Sequence, residues 1–147
     1  MKVPILSELK SNGKNPEYLF WIGCAGSFDD RAKKVTKAFI KILNSANISY
    51  AILGKEESCT GDPAKRSGNE FLFQMKAISN IEILNSYHVK KIITTCPHCF
   101  NTLKNEYPDL GGNYEVIHHT TLINNLVKDN KISISGGYYK GKKITYH

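Results

Sequence analysis

Four cysteines, Cys24, Cys59, Cys96 and Cys99, are the side chains of this sequence best suited to chemistry. A thiolate is a nucleophile, a redox group and a soft metal ligand. Cys96 and Cys99 form a CPHC motif, whose two thiols can share a metal or act as a dithiol. Cys59 follows Cys24 by 35 residues and Cys96 follows Cys59 by 37. Each interval is about one strand-helix-strand repeat, so a parallel sheet would return the chain to the same edge each time. Thiols converging on one edge suit a tetrathiolate site, which holds either an iron-sulfur cluster or zinc.

Other polar groups fall near the same connections. His98 lies inside CPHC, and His118 and His119 end an apolar run. A neutral imidazole there can ligate a metal or move a proton to a bound substrate. Arg31, Lys65 and Arg66 can offset thiolate charge or dock an anion. Asp29, Asp30 and Asp62 read as helix caps and first-turn acids, because nothing pairs them with a nucleophile.

The elements that must position these residues follow from hydrophobic pattern. Residues 1–17 read as an arm punctuated by Pro4, Gly13 and Pro16, with one or two helical turns over Ile5 to Lys10. The run YLFWI, Tyr18 to Ile22, is apolar on both faces and ends at Gly23, as a buried strand does, with Phe20 and Trp21 in the core. A helix is expected over Asp30 to Asn44, and a strand over Ile48 to Leu53. A second helix is expected from Pro63 or Ala64 to Tyr87, its apolar period carried by Phe71, Leu72, Met75, Ile78, Ile81, Ile83 and Leu84, with an interruption near Asn80. Then come a strand over Lys91 to Thr95, a helix over Pro97 to Tyr107, a strand over Tyr114 to Ile117, a helix over Thr121 to Val127 and a last strand over Lys143 to Tyr146. This alternation predicts an α/β fold: a mostly parallel sheet of about five strands with helices on both faces, Rossmann-like or flavodoxin-like.

Composition bounds the rest. The 147 residues are one domain's worth, read as a single α/β domain over residues 18–147, and 41% hydrophobic with 22% charged residues is globular rather than disordered composition. The net charge of +7 is spread over short pairs such as Lys33/Lys34 and Lys90/Lys91 without interleaved aromatics, which argues against a nucleic-acid groove. No apolar run approaches the ~20 residues of a membrane span, and the N-terminus lacks a basic-then-apolar signal pattern. The expected location is therefore cytoplasmic, with any membrane association made through a partner. In that compartment the thiols are ligands or redox groups rather than a disulfide framework.

GCAGSFDDR at 23–31, ESCTGDPAKRSGNEFLFQ at 57–74 and TCPHCFNTLKNEYP at 95–108 resemble the cysteine-rich (CCG) domain of heterodisulfide-reductase B-type subunits and related iron-sulfur oxidoreductases. The resemblance covers nearly all of residues 18–120. It implies that Cys24, Cys59, Cys96 and Cys99 bind the cluster of an electron-transfer or disulfide-reducing subunit, rather than of a complete enzyme. The sequence departs from the pattern at Thr60, where the CCG motif has its second cysteine. That departure favours a four-cysteine [4Fe-4S] site over a five-thiolate cluster, with zinc as a substitute. The resemblance also implies a tandem pair of such modules, so the expected partner is a second cysteine-rich module or a redox subunit, with a disulfide, thiol or quinone as acceptor. A competing reading is a thiol-disulfide oxidoreductase using CPHC, which leaves Cys24 and Cys59 without a task.

Overall fold

A computed structural model describes residues 3–145. Its centre is a four-stranded sheet, all parallel, with spatial order β2-β1-β3-β4. The strands are β1 (Tyr18–Trp21), β2 (Tyr50–Ala51), β3 (Lys91–Thr94) and β4 (Glu115–His118). Around them lie α1 (Leu6–Ser11), α2 (Gly23–Phe28), α3 (Asp30–Ser45), α4 (Asp62–Arg66), α5 (Glu70–Ser86), α6 (Pro97–Asn101) and α7 (His119–Lys128). After α6 the chain continues through a wide π turn at Thr102–Glu106 into a tight 3₁₀ turn at Tyr107–Leu110. No helix among the described residues is long and apolar enough to cross a membrane.

The doubly apolar run of β1 is satisfied by a core on each side of the sheet. Leu19 and Trp21 pack with Ile92, Phe73, Ala77, Leu84, Leu103 and Tyr107 on one face. Phe20 packs with Ile93, Phe39, Leu43, Leu122 and Leu126 on the other. Burial of side chains of this size contributes about 1.5–3 kcal/mol each, so the central strands β1 and β3 anchor both layers.

Three expectations change. Of the strand expected over Lys143 to Tyr146, residues 143–145 form none, and Tyr146 lies outside the described residues, as does His147. The N-terminal segment, read as an arm, adds a bridge at the β2 edge. Ile5 bridges Ile52 in parallel, with the Leu6 N–H donating to the Ile52 carbonyl at 2.8 Å and the Ile52 N–H to the Pro4 carbonyl at 2.9 Å. Leu6 is then buried in the core.

The long second helix breaks at Ser67–Asn69, between α4 and α5, rather than near Asn80. Gly68 there takes a left-handed φ of +83°, and the Asn69 side chain caps α5 by accepting from the Leu72 N–H. In α5 the inward positions are Phe73, Ala77, Asn80, Ile81 and Leu84, whereas Phe71, Met75 and Ile78 stand exposed on the other side.

Asn80 is 1% exposed and holds the loop above it. Its Nδ2 donates to the Cys59 carbonyl and to the Tyr107 hydroxyl oxygen, both at 3.0 Å, and its Oδ1 accepts from the Ser58 hydroxyl at 2.8 Å. The Tyr107 hydroxyl donates in turn to the Thr60 carbonyl at 3.0 Å. Asn80→Ala strands several of these groups away from water, so a loss of about 1–3 kcal/mol is expected in urea unfolding.

Candidate functional site

Because every strand is parallel, β1, β2 and β3 are all left at their carboxyl ends, where ligand sites of such sheets gather. Cys24 is the second residue of α2, just beyond β1. Cys59 lies between β2 and α4, and Cys96 is the cap residue of α6 beyond β3, with Cys99 in its first turn. The strand order 2-1-3-4 places the crevice between β1 and β3, where successive connections cross to opposite faces. Cys24 and Cys96 leave from those two strands.

Gly23 makes the exit from β1 sharp. Its φ is +78°, and a Cβ there would lie 3.2 Å from the Cys99 sulfur, so a larger residue would be strained and would press on the thiol.

The thiols fall into two neighbouring pairs, Cys24 with Cys59 and Cys96 with Cys99, the members of each close enough to shift one another's hold on a proton. The pairs lie close enough for the charge of Cys24 to be felt at Cys99. Cys24 is exposed, Cys59 and Cys96 are half-buried, and Cys99 is buried. Among the described residues no three histidine, cysteine or acidic side chains close on one point as ligands of a single ion.

Hydrogen bonds set the proton distribution. Cys96 is drawn down to about 5, first by the hydrogen bond from the Cys99 thiol, then by the backbone N–H groups of Cys99 and His98, with the His98 charge adding to them. Cys99 is pushed up by the Cys96 thiolate and by burial, and so keeps the proton of the pair. Burial and Cys59 raise Cys24. The Thr60 hydroxyl, at the position of the missing motif cysteine, hydrogen-bonds the Cys99 thiol.

His98 is exposed, with Nδ1 3.1 Å from Asp62 Oδ2. Asp62, buried at the start of α4, also accepts from Arg66 Nε at 3.0 Å and the Thr102 hydroxyl at 3.3 Å. Arg66 pairs with Glu106 as well, and Lys65 lies 3.7 Å from Glu106 and over the Phe73 ring. These two cations thus tie α4 to the turn after α6. Asp29 caps α3 by accepting from the Ala32 N–H at 2.7 Å, and Arg31 is exposed in the same first turn.

His118 and His119 stack edge to face at 4.3 Å between centroids, His118 against Phe100 and His119 against Phe39. His118 Nδ1 meets the Thr120 hydroxyl at 2.8 Å, while His118 Nε2 and His119 Nδ1 are buried without a protein partner. Burial and the neighbouring His118 hold His119 below the usual imidazole range.

One residue of the site escaped the sequence. Glu57, two positions before Cys59, turns its carboxylate inward, where Oε1 accepts from the Gly23 N–H at 2.6 Å and Oε2 from the Ile22 N–H at 3.1 Å. Burial pushes the carboxyl up to about 7, against the pull of the two N–H groups. A cleft of about 420 Å³ runs alongside, lined by Ile22, Cys24, Phe28, Lys55, Glu57 and Cys59 among others. An acid in a loop is ordinarily solvated, so only its partners on another strand's exit reveal it.

Among known protein families, the model of the cysteine-rich domain CCG matches residues 18–104. The chain is 50% identical, over 95% of its length, to an EtfAB:quinone oxidoreductase of Syntrophomonas wolfei, and 49% identical, over 99%, to a probable iron-sulfur-binding oxidoreductase FadF of Bacillus subtilis. It is 31% identical, over 89%, to one of the subunits of a dihydromethanophenazine:CoB–CoM heterodisulfide reductase of Methanosarcina barkeri. The chain spans 19%, 20% and 32% of the lengths of these relatives. No solved structure matches it.

Two outcomes are expected of the metal-free chain. Iodoacetamide at about pH 6 should label Cys96 first, as read by peptide mass spectrometry, because it is drawn toward the thiolate; first labelling at exposed Cys24 would contradict this. His119 binds its proton less readily in the fold than in the unfolded chain, so its contribution to stability is complete above the ordinary imidazole value of 6.5 and is lost as pH falls below it. His119→Phe, which keeps the packing on Phe39, should flatten the decline of the melting midpoint on acidification.

Proposed function

The chain belongs to the CCG family of cysteine-rich domains, and from that premise we propose that it is an iron-sulfur electron-transfer module of an oxidoreductase, with Cys24, Cys59, Cys96 and Cys99 holding a [4Fe-4S] cluster. The observation that carries the reading is the placement of all four thiols in connections at the carboxyl edge of one parallel sheet. An all-sulfur donor set suits iron-sulfur chemistry. The relatives named for iron-sulfur binding and for heterodisulfide reductase support the same reading. Zinc finds no support in those names.

When bound, such a cluster takes up and releases single electrons. The protein's own residues hold it and set its surroundings. The backbone N–H groups of His98 and Cys99 stabilise negative charge on the Cys96 sulfur, the Gly61 N–H points at the Cys59 sulfur at 3.4 Å, and the Thr60 hydroxyl serves Cys99. Hydrogen bonds of this kind favour the more negative, reduced state of a cluster. Asp62 fixes the ring of His98 beside CPHC, and there an imidazole can hand a proton to an acceptor. The working unit includes a redox partner or a second cysteine-rich module. The name of the Syntrophomonas relative favours a quinone among the acceptor classes.

One observation favours a dithiol oxidoreductase: Cys96 is drawn down to about 5 beside a protonated Cys99, as a reactive CxxC requires. The topology speaks against it, since the thioredoxin arrangement needs antiparallel strands after the active-site helix and β4 pairs β3 in parallel.

Anaerobic reconstitution separates the readings. About four irons and four sulfides per chain with a broad band near ~400 nm are expected. Each of Cys24→Ala, Cys59→Ala, Cys96→Ala and Cys99→Ala should lower the iron content strongly. Full iron and sulfide in the Cys24→Ala and Cys59→Ala variants would contradict the assignment.

A further inference from the structure

Cys24 and Cys59 come from different connections, and neither sits in a motif that fixes its distance from the other. Cys96 and Cys99 are held together by one helical turn, with the Cys99 N–H 3.5 Å from the Cys96 sulfur. The other pair needs an external tie, because its two loops are joined by 34 intervening residues.

The tie on the Cys59 side is already visible: Asn80 and Tyr107 anchor the carbonyls of Cys59 and Thr60. On the Cys24 side, the N–H groups of Ile22 and Gly23, just before Cys24, meet the carboxylate of Glu57, just before Cys59. The contact at 2.6 Å is at the short end for N–H to carboxylate, and the residue is half-buried at the edge of the cleft. The carboxylate faces no cationic side chain at hydrogen-bond distance among the described residues; the two main-chain donors are its partners.

We propose that Glu57 is a positioning residue for this centre: its half-buried carboxylate clasps the backbone entering Cys24 to the loop carrying Cys59, and so holds those two thiols in register. The inference rests on the reading that Cys24 and Cys59 serve one centre. Its test uses the cluster-free chain, so it can fail or succeed independently of the cluster's identity.

The intact chain is equilibrated with mixtures of reduced and oxidised glutathione, and disulfides are mapped by peptide mass spectrometry. In each closure two protein thiols give two electrons and two protons to oxidised glutathione, forming one protein disulfide and two reduced glutathiones. The effective concentration of Cys24 toward Cys59 measures how well the loops are clasped, and Cys96–Cys99, fixed by its helix, is the internal reference. Glu57→Ala should lower the Cys24–Cys59 value about tenfold or more, the factor that loss of a charge-assisted hydrogen bond corresponds to, and leave Cys96–Cys99 unchanged. Glu57→Gln, whose amide oxygen can still accept from one N–H, should fall between. An unchanged Cys24–Cys59 value in Glu57→Ala overturns the proposal. If Glu57→Ala loosens both pairs alike through unfolding, Glu57→Gln decides: a selective weakening of Cys24–Cys59 supports the clasp, and equal behaviour of the two pairs overturns it.

Discussion

In a sheet whose neighbouring strands all run parallel, the chain must leave every strand at the same edge and return by a crossover on one face or the other. That single geometric constraint is what the remainder of this structure depends on. β1, β2 and β3 discharge their connections at one rim, so cysteines about one repeat apart in sequence meet there. The constraint is enforced by Leu19, Trp21, Phe20, Ile92 and Ile93, which bury both faces of the two central strands and leave neither layer free to shift. Without those strands the connections that carry Cys24, Cys59 and the CPHC pair would have nothing to bring them together.

Convergence at a rim places thiols near one another only coarsely, and polar groups from elsewhere complete the placement. Asn80 and Tyr107, rooted in the core below, fix the carbonyls of the Cys59 loop. Glu57 reaches across to the exit of β1, and the Asp62, Arg66 and Glu106 network joins α4 to the turn following α6. Asn80, Tyr107 and Asp62 make these contacts from buried positions, and buried polar groups hold one arrangement because any other leaves donors and acceptors unpaired. Thr60 belongs to the same set: where the family motif has a second cysteine, a hydroxyl now serves the Cys99 sulfur.

Much of this was legible in the residues. The YLFWI run, the KIIT strand and the 35- and 37-residue cysteine intervals point to a parallel α/β sheet with thiols at one edge, and that is the architecture found. Features that depend on distant partners were not legible. GCAGSF has no apolar period, so α2 is invisible until the fold supplies Thr36 of α3, whose hydroxyl donates to the Gly26 carbonyl. Asn80 reads as a helix breaker by propensity, yet tertiary hydrogen bonds make it an inward anchor. The final KITY segment carries strand-forming residues, yet its described residues 143–145 form no strand, whereas the N-terminal segment, read as an arm, bridges β2 at Ile5. Glu57 looks like any loop acid because its acceptor role is defined by two N–H groups more than thirty residues earlier.

In the proposed centre the parallel rim gathers four sulfurs around one iron-sulfur cluster. X-ray absorption at the iron edge of the anaerobically reconstituted chain tests it most directly. Iron surrounded by sulfur alone, with a clear iron–iron distance in the second shell, is the expected result. Iron bound through nitrogen or oxygen, or isolated iron with no iron neighbour, would contradict it.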